Sequence, residues 1–68
     1  MEPDFNELWS AADSIAANVI NGNLSDARAE LTARGELRAA YLALRVRDLL
    51  EPRGEADRWH RLLVAWLP

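Results

Sequence analysis

The chain lacks cysteine and lysine altogether, and its 68 residues hold one histidine, three glycines and three prolines. Without cysteine there are no disulfides and no thiolate metal ligands. One imidazole, His60, cannot build a metal site by itself, and no cofactor is expected. Positive charge is missing from a long stretch. The first 27 residues carry five acids (Glu2, Asp4, Glu7, Asp13 and Asp26) and no base, and all eight cations are arginines between Arg28 and Arg61. Long apolar runs are missing as well: the longest, Leu62–Leu67, falls far below the roughly 20 residues a membrane span needs. Met1 is followed by Glu2, Pro3 and Asp4 rather than a positive patch and an apolar run, so no leader is expected and the reading is a cytoplasmic protein. Arginine without lysine, with abundant alanine, hints at a GC-rich coding genome, bacterial or phage.

Half the residues are apolar, which argues for a folded chain. Its length allows one domain, 1–68. A chain this short buries only about 60% of its unfolded surface and usually needs a further source of stability. With disulfides and metals removed, association with another chain is what remains, and a homo-oligomer is expected. The net charge of −3 disfavours general binding to nucleic acid or anionic lipid.

The apolar spacing predicts an all-α fold, a small three-helix domain made of a helical hairpin and a C-terminal helix. Asp4 with Glu7 suits a helix start, and Phe5, Leu8, Ala12, Ile15 and Val19 then recur at intervals of three and four. Trp9, Ala16 and Ile20 widen that seam, and Asn21-Gly22 ends it. Asn23 or Ser25 caps the second helix. From Asp26 to Glu51 there is no proline, and a single central helix, kinked or broken at Gly35, is expected. It has two apolar faces: Leu31, Leu42, Val46 and Leu49 mark one, and Leu37, Tyr41 and Leu44 the other. A helix with two such faces sits between two neighbours. Glu51-Pro52-Arg53-Gly54 is the second turn. Ala56, Trp59, Leu63 and Trp66 form the seam of the last helix, whose final turns are apolar nearly all round.

No catalytic set stands out. Only Asp57 could reach His60, and an i,i+3 Asp–His pair is common on helix surfaces. Ser10, Ser14, Ser25 and Thr32 lie in no nucleophile setting, and Gly22, Gly35 and Gly54 are isolated rather than a phosphate loop. The expectation is a non-enzyme.

The arginines sort by neighbours. Glu30 precedes Arg34 and Asp57 precedes Arg61 by four residues, the favourable order for a helical pair. Arg45 has Asp48, Arg47 has Glu51, Arg58 has Glu55, and Arg53 reaches towards Asp57. Arg28 and Arg38 have no acid three or four residues away. Arg38 has three readings: a stem covering the core edge, a pair with Asp13 or Glu7, or a contact kept for a partner. The stripe Arg34, Arg38, Tyr41, Arg45 could follow a nucleic-acid backbone, but an Arg-rich face neutralised by the acidic first helix is the preferred reading. Trp9 and Trp59 are expected in the core, and Trp66 is balanced between core and interface.

These observations favour a small interaction module that docks on another protein chain, a larger partner or its own copy, as adaptor, regulator or inhibitor. Leu62, Trp66 and Leu67 would supply the apolar contact, and Arg28 and Arg38 the polar ones. The alternative is a helix-turn-helix DNA-binding regulator built on the turn Asn21-Gly22-Asn23-Leu24. A third is a subunit with no activity outside a larger assembly.

Overall fold

The first seam becomes helix α1, Phe5–Ile20, and it stops where Asn21-Gly22 predicts. There the amide of Asn23 donates to the carbonyl of Asn18 (2.8 Å) and that of Gly22 to Val19 (3.2 Å), the paired bonds of a glycine-closed helix end. Helix α2 covers Leu24–Thr32, α3 covers Glu36–Leu50, a 3-10 turn spans Glu51–Arg53, and α4 covers Ala56–Trp66. The computed structural model describes residues 5–66, and no strand occurs among them.

The stretch expected as one central helix, kinked or broken at Gly35, is two helices. The break follows from local chemistry. Thr32 turns its hydroxyl back onto the carbonyl of Arg28 at 3.0 Å, which competes with the helical ladder. Gly35 then takes φ 93° and ψ 168°, a region open essentially to glycine alone, and starts α3 afresh. Asn23 precedes α2 as expected but makes no side-chain capping bond, and Ser25 lies inside the helix.

One face of each helix makes a common core. Leu8, Ala12, Ile15 and Val19 of α1 meet Ala27 and Leu31 of α2. Ala39, Leu42, Val46 and Leu50 of α3 close the other side. Helix α1 packs chiefly on α2 and α3, and α4 lies on α3. Trp59 of α4 is wholly buried, and its indole Nε1–H donates to the carbonyl of Ala43 at 2.9 Å. The one polar atom of that ring is thereby satisfied, which lets it fill the core.

Three residues of the expected α1 seam are on the outside. Phe5 and Trp9 are about half exposed and Ile20 is exposed as well, while Ala16 is buried as expected and the small Ala11, outside the expected seam, is buried too. A 16-residue helix packed against two others buries a stripe, and position on that stripe outranks side-chain size. Trp9 is held at the rim by polar contacts described below.

Candidate protein-docking surface

Helix α3 presents its second apolar face to solvent. Leu37, Ala40, Tyr41 and Leu44 stand at i, i+3, i+4 and i+7, the spacing of a single helical face. Leu37 is 89% exposed and Leu44 57%. Both lie opposite the buried Ala39, Leu42 and Val46, so no element of the described chain can cover them. The sequence pattern of two faces is therefore real, but only the inner one is occupied.

Helix α1 enlarges the outer face. The Trp9 indole Nε1–H donates to the hydroxyl of Tyr41 at 2.6 Å. The Phe5 and Tyr41 rings lie 5.7 Å apart at 58°. The Arg45 guanidinium sits 5.7 Å above the Trp9 ring, a cation–π arrangement. Trp9, Tyr41, Leu44, Arg45 and Asp48 line an open groove of about 260 Å³. Tyr41 thus links α1 to α3, half-buried with one edge against the core. The Arg45 Nε is shielded by this packing and has no hydrogen-bond partner.

The arginine stripe is partly neutralised by the first helix, as preferred. Arg34 Nε donates to Glu7 Oε1 at 3.1 Å, which ties the start of α3 to α1. The expected Glu30–Arg34 side-chain pair is absent. Glu30 instead accepts the Ser14 hydroxyl at 2.9 Å, and Arg34 reaches only the Glu30 carbonyl, at 3.5 Å. Arg58–Glu55 forms at 3.9 Å, while Arg47 approaches Asp48 at 3.8 Å rather than Glu51. The Arg45–Asp48, Arg53–Asp57 and Arg61–Asp57 pairs are not made. Arg28 and Arg38 are exposed and make no ion pair among the described residues. Arg38 therefore pairs with neither Asp13 nor Glu7.

The other residues expected to meet a partner are placed differently. Leu62 and Trp66 are half-buried and lean on the core. Trp66 packs its ring edge-on to Trp59 at 5.9 Å and 81°. Leu67 lies outside the described residues. Val64, 66% exposed, is the open apolar side chain of α4. The large apolar area left uncovered thus lies mainly on α3 and the start of α1. The signal was in the sequence: Leu37, Tyr41 and Leu44 form a second seam, and no helix among the described residues covers it.

Among the described residues no cluster of three or more His, Asp or Glu side chains could hold a metal, and no helix is long and apolar enough to cross a membrane. No protein-family model, curated protein or solved structure matches the chain.

Proposed function

We propose that this chain acts by docking, as a small non-enzymatic interaction module whose contact surface is the outer face of α3 with the first turns of α1. The observation that carries this reading is the exposure of Leu37 and Leu44, one heptad apart on a helix whose opposite side is the core. Burying them gains roughly 1.5–3 kcal/mol each, and aromatic and arginine side chains beside them suit a binding hot spot. The groove of Trp9, Tyr41 and Arg45 is prearranged by the indole–hydroxyl bond and the stacked guanidinium. A partner meeting it orders few side chains, which lowers the entropic cost of binding.

The helix-turn-helix alternative has less support. The helix that follows the turn Asn21-Gly22-Asn23-Leu24 is α2, which carries Arg28 as its single cation between the acids Asp26 and Glu30, and Arg34 beyond it is already engaged by Glu7. Nucleic-acid binding would fall steeply with added salt; docking on an apolar face would not.

The test is Leu37→Glu with Leu44→Glu, compared with Val64→Glu on α4. Both variants should keep wild-type helicity. Affinity capture from the cells that encode the chain, read with analytical ultracentrifugation of the purified protein, should show binding lost in the α3 variant and kept in the α4 variant. If the two variants bind alike, the docking surface is elsewhere.

A further inference from the structure

Resting on that docking reading, we propose that the occupant of the outer face of α3 is a second copy of this chain, with the two α3 helices antiparallel across a twofold axis. The apolar pattern asks for a helix. Leu37, Ala40, Tyr41 and Leu44 make one face, and the small Ala40 between the leucines lets another helix come close.

The charges beside that face suit a copy of the same helix and favour the antiparallel direction. On the side towards α1, Arg38 stands on the flank near the N-terminal end of α3, and Asp48, which lines the groove with Trp9 and Tyr41, stands at the edge of the face near its C-terminal end. On the other flank, Glu36 stands at the N-terminal end and Arg47 at the C-terminal end. A twofold axis that pairs α3 antiparallel lays each flank on the same flank of the partner, end to end. Arg38 then meets Asp48 of the partner subunit, and Glu36 meets Arg47 of the partner subunit, each pair made twice. Its centre falls near residue 42 and sets Leu44 against Tyr41 of the partner subunit. Parallel pairing would lay opposite flanks together: it would set Glu36 against Arg38 of the partner subunit, but it would also face Arg45 with Arg47 of the partner subunit, a like-charge contact that the antiparallel arrangement avoids. Glu36 and Arg38 make no ion pair within the described chain, and Arg47 has only its exposed neighbour Asp48 at 3.8 Å. All four residues keep hydrogen-bonding capacity for such a contact. Another occupant would need an apolar helix with the same signs in the same reversed order, which α3 itself supplies.

The absence of cysteine makes the test clean. Sedimentation from about 1 µM to about 1 mM should show a monomer–dimer equilibrium within that range. Arg38→Asp should weaken the dimer by about tenfold or more, and adding Asp48→Arg should restore it to within about threefold. Oxidised Leu44→Cys should form a disulfide with its own copy. Leu37→Cys should not, because antiparallel pairing holds its two copies about ten residues of helix apart, near 15 Å. A chain that is monomeric throughout overturns the proposal. So do crosslinking at both positions, which is the parallel result, and a charge swap that restores nothing. A monomer that still loses a captured partner on Leu37→Glu with Leu44→Glu overturns self-pairing and leaves the docking reading standing. A monomer that loses nothing overturns both.

Discussion

The two faces of α3 have nearly the same composition and opposite fates. Ala39, Leu42, Val46 and Leu50 are buried against α1, α2 and α4, whereas Leu37, Ala40 and Leu44 look outward with Tyr41 half-buried beside them. Hydropathy does not separate them, since each face has leucines at helical spacing. What separates them is the supply of neighbours. Helices α1 and α4 both rest on the inner side, and no helix of the described residues lies on the outer one. Apolar periodicity therefore says that a face wants covering; it does not say by which molecule.

That contrast should be sharp in stability measurements. Trp59→Ala removes the largest fully buried side chain and its bond to Ala43, and about 3–5 kcal/mol of stability should go with it. Leu42→Ala should cost about 2–5 kcal/mol for the same reason. Leu37→Ala and Leu44→Ala, changes of identical type on the same helix, should stay within about 0.5 kcal/mol in the monomer. Urea unfolding at low micromolar concentration reads all four. A loss near 2 kcal/mol at Leu44 under those conditions would mean that this face is covered from within the chain.

The joint that sets the two faces apart from α2 comes next. Gly35→Ala should cost about 1–3 kcal/mol, a price set by backbone strain alone, because nothing lies within 4 Å of where the added Cβ would stand. Gly54 gives the matched comparison. Its φ 74° and ψ 19° are the left-handed helical region, which asparagine tolerates. Gly54→Asn should therefore be milder than Gly35→Asn in the same thermal melts. Equal losses would show that the break between α2 and α3 does not depend on glycine's special conformation.

Much of this architecture was legible. The periodic seam and Asn21-Gly22 located α1, and Trp59 announced its burial by lying on the α4 seam. The break at Gly35 was less visible, because one glycine without a proline marks either a kink or a stop, and Thr32's turn onto its own backbone leaves no pattern in the sequence. Trp9 was misplaced because its position beside Phe5 and Leu8 resembles core spacing. The contacts that hold it at the rim, to Tyr41 and Arg45, join residues more than thirty apart. The same long-range geometry gave Arg34 to Glu7 when Glu30 was the local candidate. For the candidate site, Arg38 was legible as an arginine without a local acid. Leu62 and Trp66 were not, since only the fold reveals that Trp59 offers Trp66 a ring edge to rest on. Leu37, Tyr41 and Leu44 are visible as a seam, but a seam does not show that Leu37 and Leu44 stay exposed among the described residues.

The smallest effect concerns how α3 is oriented. The Glu7–Arg34 contact joins α1 to the turn between α2 and α3, so it could be taken to set which leucines point outward. Its side chains are 60% and 27% exposed, however, and an ion pair so open to water contributes only about 0.2–1 kcal/mol. A double-mutant cycle with Glu7→Gln and Arg34→Gln should return a coupling in that range. It should fade in 1 M salt, where the screening length drops to about 3 Å, while the loss from Leu42→Ala should not fade. The buried face of α3 then fixes its rotation, and the ion pair only trims it. A coupling above about 2 kcal/mol that survived the salt would reverse that order and make the outward leucines a consequence of charge rather than of packing.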